Sequence, residues 1–156
     1  MFFVLSKTLD LEKHVRFTGF IPDDEMMRYL STADIGLDPN PSNPLNDVST
    51  WIKVMEYMAL GKPIVSFDLK ETRTSAAAAA VYVPPNDELA FARAVRDLMD
   101  DPARRATMGE IGRRRIREEL CWTITSRNLL KAYSRLLNRE LATEEPEAAH
   151  VASRMS

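Results

Sequence analysis

Apolar residues along this chain come in short blocks separated by turn formers, and the spacing inside the blocks switches between strand-like and helix-like periods. Val15-Arg16-Phe17-Thr18-Gly19-Phe20 alternates β-branched and aromatic residues around a glycine, which predicts a strand opening into a tight turn. Pro22 bars that strand from continuing, and Asp23, Asp24 and Glu25 favour a helix start, so 24–32 reads as a helix with Met26, Met27 and Leu30 toward a core. Residues 33–39 read as a buried strand stopped by Pro39, and 63–67 as another, with Asp68 just beyond its carboxyl end. Residues 70–80 include five consecutive alanines, enough for a helix by propensity. A short strand at 81–83 ends at Pro84-Pro85. Asn86-Asp87 then caps a helix to about 100, with Leu89, Phe91, Ala92, Val95, Leu98 and Met99 at amphipathic spacing. Asp101-Pro102 opens a further helix to about 119, since proline suits the first helical position. A last amphipathic helix spans 123–141, with Ile124, Leu129, Leu130, Tyr133, Leu136 and Leu137 as its apolar side. Met1 to Leu5 read as a short strand or an irregular start. Residues 142–156 turn small, polar and acidic without periodicity, which predicts a disordered tail after a domain spanning 1–141.

The most tightly bounded stretch is 49–60. Ser49 or Thr50 is the expected N-cap, Gly61 suits the position past the helix end, and Pro63 cannot continue it, giving a helix of about three turns. Around the helix Ser49, Lys53 and Glu56 share one narrow polar stripe, while Trp51, Ile52, Val54, Met55, Met58 and Ala59 cover most of the remaining circumference. That pattern predicts a nearly buried helix. Its stripe is either a solvated side carrying a Lys53–Glu56 ion pair, or a binding surface. The loop 39–48, rich in proline and asparagine, favours the second reading, because it delivers the chain to a helix N-terminus where free N–H groups and the macrodipole favour an anion.

Strands alternating with helices, without a hairpin signal, predict an α/β fold with a doubly wound parallel sheet. Ligands of such sheets bind outside the carboxyl ends of the strands. The turn after Phe17, the loop after Asp38 and the segment after Phe67 are therefore expected on one edge, with Glu56 pointing into the same crevice.

With 156 residues, 45% of them hydrophobic, the chain is long enough for one domain with a core. A net charge of -2 argues against a nucleic-acid partner. Arg104, Arg105, Arg113, Arg114, Arg115 and Arg117 form a basic run, read first as a solvated face and second as a contact for anionic lipid. Cys121 is the sole cysteine, which excludes an internal disulfide and a multi-cysteine zinc site, and His14 and His150 suggest no metal constellation. No apolar run reaches transmembrane length, so the expected location is the cytoplasm, peripheral to the inner membrane face if the basic run meets lipid.

Several blocks together carry a resemblance. Val15-Arg16-Phe17-Thr18-Gly19-Phe20-Ile21-Pro22, Ala33-Asp34-Ile35-Gly36-Leu37, Met55-Glu56-Tyr57-Met58-Ala59-Leu60-Gly61-Lys62-Pro63-Ile64-Val65, Val83-Pro84-Pro85 and Asp100-Asp101-Pro102 follow one another in family order and spacing. Together they resemble the carboxyl-terminal, donor-binding domain of retaining glycosyltransferases of family 4 (group 1), whose GT-B fold pairs two Rossmann-like domains. The resemblance covers about residues 11–137. It implies a Rossmann-like half of a GT-B enzyme, a nucleotide diphosphate sugar as donor, and no metal or other cofactor. It implies that Glu56 accepts hydrogen bonds from the two ribose hydroxyls, and that the Phe17, Gly19 and Phe20 turn forms the wall beside the base.

Two departures accompany it. Family members usually carry a second glutamate eight positions before the ribose glutamate, on the donor sugar. Here Val48 holds that position, with Asp47 the nearest acid. An Asn-Asp-x-Ser-Thr variant of the motif would put Ser49 and Thr50 at the diphosphate, with Lys53 adding a positive charge. The acceptor-binding domain and the first strand-helix unit of the donor domain also have no counterpart in this sequence. The resemblance therefore implies a hexosyltransferase donor half that is inactive by itself and needs an acceptor domain in cis or trans. The alternative is a non-catalytic interaction module that keeps the fold.

Overall fold

The structure is a computed structural model that describes residues 2–139, so the expected tail at 142–156 lies outside the described residues. The chain divides between Ala33 and Asp34 into two compact units.

In the first unit, α1 (Phe2–Thr8) replaces the expected short strand or irregular start. Its helical turns are closed by local bonds, including Leu9 N–H to the Leu5 carbonyl and Thr8 Oγ1 to the Val4 carbonyl. The strand expected at 15–20 does not form; that segment runs without a ladder partner and bends around Gly19, which sits at φ 66°. β-Branched and aromatic residues favour a strand only where a neighbouring strand accepts their backbone. α2 (Asp23–Thr32) starts where proline and the three acids place it, with Asp24 paired to Arg28 at 3.0 Å. None of its residues is buried; Met26 and Leu30 are half-buried and Met27 is exposed, so the expected core side is only partly covered.

The second unit is a parallel sheet in the order β1 (Gly36–Asp38), β2 (Ile64–Phe67), β3 (Ala80–Val83). β2 alternates its side chains between two covered faces. Ile64 packs with α3 (Ile52–Ala59), α4 (Lys70–Ala76) and the alanine segment behind it. Val65 and Phe67 point the other way, onto α5 (Glu88–Met99), where Phe67 meets Phe91 edge to face at 5.1 Å. Helices on both faces of a parallel sheet make the doubly wound arrangement that the alternation of elements predicts.

The alanine run does not stay helical. α4 stops at Ala76, Ala77 takes φ 46° and ψ -125°, and Ala77–Ala79 form a single 3-10 turn leading into β3. Tertiary packing overrides propensity here: Ala76 and Ala79 are fully buried in the α3 cluster, and a continuing helix could not turn the chain into the sheet.

α5 and α6 (Pro102–Arg115) are capped as their sequences indicate, Asp87 accepting from Ala90 N–H and Asp101 from Arg104 N–H. On α5 the apolar side turns inward at Phe91, Val95 and Leu98, while Leu89, Ala92 and Met99 are exposed. α6 lies close against the end of α3: a Cβ on Gly109 would strike the Gly61 carbonyl, and one on Gly112 would meet Met58 at 3.2 Å. A π-helical turn, Ile116–Leu120, follows, and then α7 (Trp122–Leu137). No residue of α7 is buried, and Leu129, Tyr133, Leu136 and Leu137 of its apolar side are exposed.

Arg104, Arg113, Arg114 and Arg117 of the basic run are exposed, as a solvated face requires, and three arginines of the run also clamp backbone carbonyls. Arg105 donates to the Leu98 carbonyl at 2.9 Å, Arg113 to Leu60 at 3.2 Å, and Arg115 to Ser75 at 2.8 Å and Thr74 at 2.9 Å. Those carbonyls lie at the C-terminal ends of α5, α3 and α4, where unpaired acceptors and the negative end of the dipole attract a cation. No described helix is long and apolar enough to cross a membrane.

Candidate functional site

The carboxyl ends of the three strands share one edge, and the loops leaving them are tied together. Ser42 N–H, after β1, donates to Asn86 Oδ1, after β3, at 2.9 Å, and Asp68 N–H donates to the Val83 carbonyl. The loop from β1 to α3 is ordered by its own side chains. Asn43 Oδ1 accepts from the N–H groups of Leu45 and Asn46, and Asp47 accepts from Ser42 Oγ at 3.1 Å. These contacts roll Asn46–Val48 into a 3-10 turn.

α3 begins later and is shorter than its sequence suggests. Ile52 is its first residue, Trp51 takes the cap position, and no side chain caps it. Ser49 instead donates its hydroxyl to the Leu45 carbonyl at 2.7 Å and its N–H to Asn46, closing the loop behind it. Thr50 reaches sideways to α4, donating to Glu71 Oε1 at 2.8 Å. The end of α3 follows the expected pattern: Gly61 adopts φ 67°, its N–H bonds to Met58 and that of Lys62 to Tyr57. Only Val54 and Met58 are buried, and Ile52 is 75% exposed, so the helix is half covered rather than nearly buried.

Beneath the entrance to α3 lies a group that the sequence reading missed. Asp38, the last residue of β1, has no exposed surface. Its carboxylate accepts from Lys53 at 2.9 Å, Ser66 Oγ at 3.1 Å, Thr72 Oγ1 at 3.2 Å, and the Asn40 amide. A buried carboxylate is tolerated only when paired and hydrogen-bonded, and here one cation and three neutral donors surround it. The signal in the sequence was an acid at the end of a predicted buried strand, directly before Pro39. Lys53 therefore pairs with Asp38, not with Glu56, and its ammonium also lies 5.6 Å from the Trp51 ring.

Glu56 lies one helical turn beyond Lys53, half-buried, and its carboxylate makes no hydrogen bond or ion pair among the described residues. The adjacent Tyr57 hydroxyl titrates above its usual 10.0, chiefly through burial and then through the charges of Asp38 and Glu56. Its ring fills the space beside Gly36, where any Cβ would overlap it. At the end of β2, Arg73 grips Asp68 with two bonds of 2.6 Å and stacks 4.3 Å over the Tyr82 ring. Burial pushes the Tyr82 phenol up to about 12, and its hydroxyl donates to the Ala77 carbonyl.

Of the residues singled out in the sequence, Asp47, Ser49, Thr50, Lys53 and Glu56 come together around the start of α3. Phe17, Gly19 and Phe20 belong to the first unit, where all three are exposed. Val48, in place of the usual sugar-binding glutamate, is 68% exposed. Among the described residues no group of three or more His, Cys, Asp or Glu side chains is arranged to hold a metal.

The profile of the family described as glycosyl transferases group 1 matches residues 4–101. The chain belongs to that family. A GDP-mannose-dependent monoacylated alpha-(1-6)-phosphatidylinositol monomannoside mannosyltransferase of Corynebacterium glutamicum is 31% identical over 125 residues, 77% of this chain and 32% of that protein. A D-inositol 3-phosphate glycosyltransferase of Kineococcus radiotolerans is 27% identical over 148 residues, 88% of this chain and 33% of that protein. This group 1 chain thus spans about a third of the length of these curated relatives. Among solved structures, sucrose-phosphate synthase from Thermosynechococcus elongatus superposes with a TM-score of 0.78 over 88% of this chain and 34% of the synthase, at 24% identity. That likeness is one of fold: a Rossmann-like half of a GT-B glycosyltransferase.

Proposed function

We propose that this group 1 chain is a donor-binding domain, which holds a nucleotide diphosphate sugar for retaining transfer while an acceptor domain, in cis or trans, completes the cleft. What supports the reading most is Glu56. Asp38, Asp47 and Asp68 are all engaged by protein donors, whereas among the described residues the Glu56 carboxylate has no hydrogen-bond or ion-pair partner. One carboxylate accepts two O–H donors at once, which suits the vicinal hydroxyls of a ribose.

The diphosphate is assigned to the start of α3. The first N–H groups of a helix have no i-4 acceptor within it and carry the positive end of its dipole, although in α3 that of Val54 is already given to the Trp51 carbonyl. Ser49 and Thr50 have already given their hydroxyl protons to Leu45 and Glu71, so they act by shaping the loop. Lys53 contributes only what Asp38 leaves of its charge. The family's reaction needs no metal by resemblance, and this domain meets the phosphate charge with backbone dipoles and that lysine.

Titration of the protein with GDP, UDP and ADP, followed by calorimetry and by backbone NMR shifts, tests the reading. A nucleoside diphosphate is expected to shift residues 49–56, and Glu56→Ala to weaken binding about tenfold, the worth of charge-assisted hydrogen bonds to a ribose. A folded protein that shows no shift at millimolar nucleotide overturns it. The second reading, a non-catalytic module, is favoured by the uncovered apolar side of α7, and it predicts retention of a protein partner without nucleotide binding.

A further inference from the structure

The carboxylates at the end of β1, in the loops after β1 and β2, and in α4 differ in what they have left to offer a ligand. Asp38 is buried and saturated by four donors. Asp47 accepts from Ser42 through both oxygens, and Asp68 is held through both oxygens by Arg73. Glu71, in the first turn of α4, is different. Thr50 donates to its Oε1 at 2.8 Å, and Ser75 reaches the same atom at 3.5 Å, while among the described residues no donor meets Oε2. Its backbone is fixed by a helix that packs on the same core cluster as α3. The result is a half-buried carboxylate, anchored through one oxygen by Thr50, whose second oxygen meets no donor among the described residues.

That arrangement suits a hydroxyl acceptor better than a structural ion pair. An anchored carboxylate presents its free oxygen in one orientation, so a hydroxyl donor that reaches it gains a charge-assisted bond without ordering a long side chain at the moment of binding. The same negative charge disfavours a phosphate there, which leaves the neutral, hydroxyl-rich part of the ligand.

We infer that Glu71 is a specificity-determining residue that accepts a hydrogen bond from a hydroxyl of the donor's sugar, and that Thr50 is a positioning residue that holds it. This rests on the donor-binding reading above and adds to it a carboxylate that the sequence did not single out. It also gives Thr50 a role other than phosphate contact.

The test compares each sugar nucleotide with its own diphosphate, GDP-mannose with GDP and UDP-glucose with UDP, on the full chain by calorimetry. The expected result is that at least one sugar nucleotide binds more tightly than its diphosphate. Glu71→Gln and Glu71→Ala should then remove that advantage, about tenfold, while the diphosphate constant stays within about twofold. Thr50→Val should remove part of the advantage, and Thr50→Ser should restore it. Thermal melts confirm that each variant folds.

If the wild type binds a diphosphate through Glu56 but gains nothing from the sugar, or keeps its gain in Glu71→Ala, the Glu71 inference fails and the donor-binding reading stands. If neither diphosphates nor sugar nucleotides bind the folded wild type, both fail. If Glu71→Ala weakens diphosphate and sugar nucleotide equally, Glu71 acts only through the loop and the inference is overturned.

Discussion

Lys53 Nζ lies 2.9 Å from Oδ1 of Asp38, a carboxylate with no exposed surface, so a fully buried charge of the second unit is neutralised by a residue of the candidate site. The lysine itself keeps 34% of its side-chain surface exposed.

Removing the lysine strands the carboxylate. Lys53→Met is expected to lower stability by about 3 kcal/mol, the low end for breaking a buried pair, since Ser66, Thr72 and Asn40 still donate to Asp38. Adding Asp38→Asn to Lys53→Met should recover part of that loss. Urea unfolding of the two single variants and the double variant measures the coupling, and strictly additive effects would show that the pair has no energetic content.

Ala77 is the natural place to gain stability. Its φ of 46° with ψ of -125° is open to glycine and costly for a residue with a Cβ. Ala77→Gly is expected to stabilise by about 1 kcal/mol and raise the melting temperature by about 3 °C. Ala78→Gly, one residue on, should give no such gain, because glycine there only adds freedom to the unfolded chain. Differential scanning calorimetry separates the two.

Gly109 and Gly112 set how closely α6 approaches α3. Gly109→Ala drives a Cβ into the Gly61 carbonyl, a backbone atom that cannot turn aside, and is expected to cost about 3 kcal/mol. Gly112→Ala meets Met58 at 3.2 Å, partly its flexible side chain, and should cost about 1 kcal/mol. Equal losses in denaturant titrations would contradict this ordering.

Asp68 provides a pH signature. The bonds from Arg73 hold its carboxyl below the usual 3.8, with the arginine's charge adding to the effect. A depressed carboxylate contributes stability that is present above the unfolded value and is lost as the pH falls through the folded one. Wild type and Arg73→Gln should therefore differ in stability above about pH 4 and converge in stronger acid. Carboxyl-carbon NMR should show the Asp68 midpoint moving up toward 3.8 in Arg73→Gln. The pair is largely solvent-exposed, so the stability difference should be small and should shrink with added salt.

Local chemistry fixed the features that the sequence conveyed most clearly. Asp87 and Asp101 cap their helices, Gly61 ends α3 and Pro39 closes β1, because each acts through backbone groups within a few residues of itself. The alternation of strand-like and helix-like periods likewise determined a parallel α/β sheet, and the ordered blocks determined the family.

Tertiary structure alone decided whatever depends on a partner distant in the chain. The segment 15–20 is not a strand because no ladder receives it, and Ala77 leaves the helix because buried alanines on either side of it must join α4 to β3. Lys53 turned from an apparent helix-face partner of Glu56 into the counter-ion of Asp38, and Thr50 from a cap into an anchor for Glu71. Propensity and periodicity act over a few residues, whereas a buried charge takes its partners from whichever elements the fold brings around it.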